Sequence, residues 1–159
     1  MTTTSVGELR AMGWSSVQQR RLAIEKDILR KYFPDFEWKN PTDSNNTKIE
    51  GHLKSNSGNL YKLRIYVPSD FPNSRPNMVV LSPYPLIGSG GANINVLGVS
   101  STMHTLTPID GYVSICHYKN WLPNLTLYLV VLKGRLWVEA FEGHKRSGQP
   151  LDRFLGHMK

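Results

Sequence analysis

Between Val67 and Asn77 the chain reads Pro68-Ser-Asp-Phe71-Pro72-Asn-Ser-Arg-Pro76, three prolines within nine residues. Each proline locks φ and removes a backbone donor, so the segment holds an extended connection and forbids a helix. On either side of it the pattern is strand-like. Leu60–Val67 alternates, with Leu63, Ile65 and Val67 on one side; Asn77–Ser82 contains Met78-Val-Val-Leu81; Thr47–Lys54 alternates weakly. Ser55-Asn-Ser-Gly58-Asn59 joins the first two runs as a hairpin turn. A proline-set connection between such runs leaves an antiparallel meander as the economical reading.

Helical periodicity brackets the strands. From Ser15 or Ser16, a good N-cap, Leu22, Ile28, Leu29, Tyr32 and Phe33 recur on one face until Pro34 ends the segment. Late in the chain, Leu127, Val130, Val131, Gly134, Trp137, Val138 and Phe141 predict a long amphipathic helix capped at Asn124 or Thr126, with Gly143 as its C-cap. Gly134 within it costs about 1 kcal/mol relative to Ala and implies close approach of that helix to the sheet. The fold class is therefore α+β: helix, antiparallel meander, a loop region, long helix. One domain over residues 1–159 is expected, with 1–14 a loose polar arm. Residues 83–101, containing Gly88-Ser-Gly-Gly91, predict a flexible flap; the run lacks the Lys-Ser/Thr ending of a phosphate loop.

The formal charge of +7 asks for an acidic partner. The cations are dispersed, with no basic run and no aromatic platform for bases, which argues against nucleic acid and for a protein surface. Arg20, Arg21, Lys26, Arg30 and Lys31 concentrate on the first helix, and Arg20, Arg21 and Lys26 form its candidate docking face. No apolar run reaches the length of a membrane span. Met1 is followed by Thr-Thr-Thr-Ser rather than an apolar leader, and one cysteine cannot form an internal disulfide. A reducing, cytoplasmic setting is the expectation.

That cysteine is the candidate nucleophile. Cys116 ends a β-prone segment, Gly111-Tyr-Val-Ser-Ile-Cys116, and precedes a polar loop, His117-Tyr-Lys-Asn-Trp121-Leu-Pro123. A lone thiol is ordinarily an inert small hydrophobe. Its place between a strand end and a helix entry instead predicts a surface shelf. His104 upstream and His117 next to it are the candidate proton-handling groups. Alternation along a strand turns His117 away from the sulfur and leaves His104 preferred. Asp110 and Asn93 are auxiliary candidates for supporting an oxyanion or orienting an attacking amine.

The ordered set Tyr61-x-Leu63-x-Ile65-x-Val67-Pro68, Phe71-Pro72-x-x-x-Pro76, His104, Gly111-x-x-x-Ile115-Cys116 and Trp121-x-Pro123-x-x-Thr126-Leu127 resembles the ubiquitin-conjugating enzyme family over residues 17–142. The family's His-Pro-Asn is replaced by His104-Thr-Leu-Thr-Pro108, and its usual C-terminal helices by Pro150-Leu-Asp-Arg-Phe-Leu155. These departures resemble the divergent prokaryotic branch of bacterial ubiquitin-like conjugation and antiphage operons.

The resemblance implies a transferase carrying a donor protein's C-terminus as a thioester on Cys116 and passing it to an acceptor protein. The donor would be a ubiquitin-like protein or a nucleotidyltransferase tail, charged by a separate activating enzyme, with no metal or organic cofactor. Three other readings stand beside it. An inactive ubiquitin-fold-binding module would share the architecture but ordinarily lacks the cysteine. A thiol hydrolase would pair Cys116 with His104 or His144. A zinc site of Cys116, His104 and His117 lacks a fourth ligand and the usual spacing.

Overall fold

The computed structural model describes residues 13–155. Helix α1 spans Ser16–Tyr32 and opens on a capping box: the Ser15 hydroxyl accepts from the Gln18 amide, and the Gln18 side chain accepts from the Ser15 amide. Strands β1 (Glu37–Lys39), β2 (Lys48–Lys54), β3 (Leu60–Tyr66) and β4 (Asn77–Ser82) follow. Two short 3-10 turns, Ser89–Gly91 and Ile94–Val96, precede β5 (Thr105–Ile109) and β6 (Tyr112–Ile115). Helix α2 spans Leu127–Ser147 and α3, a single turn, Asp152–Leu155.

The strands form one antiparallel sheet in the order β1-β2-β3-β4-β6-β5. The expected meander is thus present and extended at both ends. The β5–β6 hairpin turns on Asp110-Gly111, both with positive φ (54° and 81°). An Asp-Gly pair is itself a strong hairpin signal, and it marks β5 as the partner of the β-prone segment that ends at Cys116.

Helix α2 lies over the sheet and closes one continuous core with it. A Cβ at Gly134 would stand 2.8 Å from both Leu63 Cδ1 and Met78 Sδ, so the helix approaches β3 and β4 as closely as the sequence implies. Tyr61 meets Phe141 edge-on, and Trp137 stacks on Phe141. Two helix-end expectations are corrected. The C-cap is Gly148, left-handed at φ 75°, whereas Gly143 stays helical and packs under Phe154 of α3. Tyr32 is exposed and stacks on Tyr128, while Glu25 takes the place on the buried face.

The loose arm over 1–14 lies outside the described residues except at its end. There Trp14 is buried and donates its indole N–H to the Pro41 carbonyl. The segment 83–101 is pinned rather than an unstructured flap. Leu86 and Ile94 are buried, Asn95 Oδ1 accepts from the Leu86 amide at 2.6 Å, and Asn95 Nδ2 donates to the Gly111 carbonyl. Polar side chains that satisfy loop backbone hold a segment in place without regular structure. Among the described residues no helix is long and apolar enough to cross a membrane.

Candidate active site

Two of the proline-bearing motifs meet, and their meeting builds the site. Strand β4 begins one residue after Pro76, so the connection 68–76 runs beside the loop that follows β6. Trp121 Nε1 donates to the Pro72 carbonyl at 2.7 Å, and Arg75 donates to the Tyr118 carbonyl. The His117 ring N–H at Nε2 donates to the Pro76 carbonyl. Proline carbonyls are free to accept because no paired strand claims them, which makes the connection an acceptor rail for the loop.

Arg21 locks the far end of that loop. Its Nε donates to Glu25 Oε2 at 2.8 Å, and its two terminal nitrogens donate to the Pro123 and Leu125 carbonyls at 2.7 Å each. Its guanidinium also lies over the Phe71 ring. Glu25 is fully buried, and its other oxygen accepts from the Leu127 amide at the start of α2. A buried carboxylate is tolerable only when paired and hydrogen-bonded, and Glu25 is both. Arg21, expected at a docking face, is therefore an internal strut. Lys26 lies with its ammonium 5.2 Å from the Trp38 ring centroid, and Arg20 is exposed. Glu25 could have been found in the sequence: a charge three residues after Leu22 and four before Leu29 sits in register with the apolar stripe.

Cys116 follows β6 and is partly exposed. It lines an open cavity of about 670 Å³ together with His104, Thr105, Leu106, His117, Tyr118, Lys119, Lys133 and Asp152. The Cys116 amide donates to the His104 carbonyl at 2.9 Å, continuing the β5–β6 pairing by one bond and setting the two residues side by side. His104 adopts φ 54°, a left-handed backbone that costs a non-glycine residue about 1 kcal/mol. Its carbonyl is held again by the Trp137 indole N–H, shared with the carbonyl of Met103. The ring Nε2 lies 2.8 Å from Asp152 Oδ1.

The two histidines sit in different surroundings. His117 is 8% exposed and burial pushes its pKa down to about 4, against the opposing bond to Pro76 and with help from Arg75 and Lys133. It is a neutral ring at physiological pH. Its Nδ1 is buried without a hydrogen-bond partner. His117 therefore clamps the loop to Pro76 rather than serving as a proton-transfer group tuned near neutrality. His104 stays half-buried, with its carboxylate partner in solvent reach.

The remaining candidates lie elsewhere. Asn93 caps the second 3-10 turn, and Asp110 accepts from the Tyr66 hydroxyl in the β5–β6 turn; neither lines the Cys116 cavity. His144, the other candidate partner for the thiol, clasps the 83–101 segment: Nδ1 donates to the Gln149 carbonyl and Nε2 accepts from the Ser89 amide. That bond also engages the Gly88–Gly91 run, whose Ser89 N–H is thereby satisfied. Among the described residues no three His, Cys, Asp or Glu side chains gather to hold a metal ion. Asp152 was not a sequence candidate: it stands 48 residues from His104, and no local pattern relates them.

No family, curated protein or solved structure matches this chain.

Proposed function

We propose that the chain is a ubiquitin-conjugating-like transferase that forms a thioester between Cys116 and the C-terminal glycyl group of a donor protein. The observation that carries this reading is the placement of Cys116. It is a partly exposed thiol at the end of the last strand, opening onto a cavity beside a loop clamped by Trp121 and Pro72. A rigid rim around an accessible nucleophile suits an extended protein tail better than a small enclosed substrate. The framework of helix, antiparallel sheet, cysteine, Trp-x-Pro loop and long helix supports the same reading.

In the proposed reaction the Cys116 sulfur attacks the activated carbonyl carbon and displaces the thiolate of the activating enzyme. An acceptor amine, lysine, then attacks that carbon; the C–N bond forms, the C–S bond breaks, and the amine proton returns to the sulfur. The donor is a ubiquitin-like protein or a nucleotidyltransferase tail, in a bacterial antiphage setting. ATP is spent by the separate activating enzyme, and the transferase needs no cofactor.

The test is to mix the protein with donor and activator proteins from neighbouring genes and ATP. A reductant-sensitive adduct is expected. Cys116→Ser should convert it to a stable ester, and Cys116→Ala should abolish it. An adduct that persists in Cys116→Ala removes the thiol from the mechanism.

The His104–Asp152 contact beside Cys116 favours one second reading, a thiol hydrolase, in which water replaces the amine. The products separate them: an amide to lysine marks transfer, and a free donor carboxylate marks hydrolysis.

A further inference from the structure

We propose that Asp152 is a positioning residue that holds His104 as the proton acceptor for chemistry at Cys116. This deepens the transferase reading and rests on it.

The contact itself is specific. His104 Nε2 lies 2.8 Å from Asp152 Oδ1, and both residues line the cavity that Cys116 lines. An ionised carboxylate only accepts, so Nε2 carries the hydrogen of a neutral His104 ring. The basic lone pair is then on Nδ1. Which nitrogen stays basic is decided by the partner of the other, here Asp152.

Each end of the pair is held by the fold. The Asp152 amide donates to the Thr102 carbonyl at 2.8 Å, tying α3 to the segment that leads into His104. Leu151 and Leu155 are buried on either side of Asp152, and Phe154 packs against Gly143 of α2. On the other side, the left-handed backbone at His104 is fixed by Trp137 and by the Cys116 amide. Strained backbone persists where its surroundings over-determine it, and here the surroundings are α2, β6 and the nucleophile's own backbone. Three backbone or indole contacts therefore hold the His104 and Asp152 backbones beside the cavity that Cys116 lines.

The role follows from the proton inventory of the transfer step. When an amine attacks the thioester, its nitrogen must lose a proton while the sulfur leaves as thiolate. His104 Nδ1 takes that proton and returns it to the sulfur, so no external acid or base is consumed. His117 cannot substitute, because its free ring nitrogen, Nδ1, is buried and burial holds the ring's pKa down near 4. The other titratable groups that line the cavity are Tyr118, Lys119 and Lys133.

The experiment isolates this step. Cys116, the only cysteine, is acylated with a small glycyl thioester of mercaptoethanesulfonate. Release to excess lysine amide is followed by intact mass spectrometry from about pH 6 to about pH 9, the range in which a histidine base reports itself. Wild-type release should rise with pH. Asp152→Asn should slow release on the order of tenfold at neutral pH, a part of what a positioned base supplies, and change the shape of the pH profile. Asp152→Glu should restore both rate and profile.

In a His104→Gln background, Asp152→Asn should have no further effect. Equal profiles for wild type and Asp152→Asn overturn the proposal. So does a fall of equal size in the His104→Gln background, since Asp152 would then act without the imidazole. Thermal melts of each variant separate loss of fold from loss of chemistry. The acyl probe needs neither donor nor activator, so failure of donor loading sinks the transferase reading without deciding the role of Asp152.

Discussion

Acidification from about pH 7 to about pH 5 should remove about 2 kcal/mol of stability through His117 alone. The magnitude comes from burial. The ring is buried at the clamp to Pro76, and its pKa falls from 6.5 to about 4. Between those values the unfolded chain binds a proton that the folded chain refuses. The contribution is therefore present above 6.5 and lost as pH falls toward 4. The whole difference is worth about 3 kcal/mol, a large share of the 5–15 kcal/mol or so that holds a domain together.

A second group acts lower. Burial pushes Glu142 up, but hydrogen bonds from Ser55, Ser57, Tyr61 and Asn59 pull harder and bring it down from 4.5 to about 2. Its contribution is present above 4.5 and is lost as pH falls through 2, so the two windows barely overlap. Urea unfolding followed by tryptophan fluorescence at about pH 7, 6 and 5 reads the upper window. His117→Gln keeps an N–H for the Pro76 carbonyl and does not titrate, so its stability should stay nearly flat there. A wild type and a His117→Gln protein that lose the same amount between about pH 7 and 5 refute the assignment of the slope to this ring.

Arg21→Ala strands the buried Glu25 and frees two loop carbonyls; a loss of about 3 kcal/mol is expected in chemical denaturation, with slower acylation of Cys116. Gly134→Ala gains about 1 kcal/mol of helix propensity but forces a methyl against Leu63 and Met78, so melting should move down, not up. The docking face proposed for α1 rests on Arg20 and Lys26: reversing both to Glu should slow donor loading, with an effect that shrinks as salt rises and little change in fold stability. Iodoacetamide should alkylate native Cys116 without denaturant, and a thiol that reacts only after unfolding contradicts the exposed shelf.

The legible part of the candidate site was the candidate nucleophile and its loop. A strand-type run ending in Cys116, then a polar stretch with Trp121-x-Pro123, already implies a strand end facing a helix entry, because backbone preference is local. His104 was readable as a polar group near that strand. The proline connection was readable as extended, but its use was not: that Pro72 and Pro76 would supply acceptors to Trp121 and His117 depends on two loops meeting across the sheet. Arg21 shows the same limit. On a helical wheel it is one of five surface cations, and only the approach of the Pro123–Leu125 backbone makes it a strut.

The sequence by itself determined what short-range physics decides. Periodicity set both helices and the central strands, three prolines set the extended connection, and Gly134 announced close contact because nothing larger fits between helix and sheet. Tertiary structure alone decided which polar groups meet. Glu142 gathers hydroxyls from a hairpin more than eighty residues away, and Asp152 reaches His104 across 48 residues. The physical reason is range. Backbone conformation is biased by neighbours in the chain, whereas a hydrogen bond forms only when donor and acceptor come within about 3 Å. For residues far apart in sequence, folding alone brings that about.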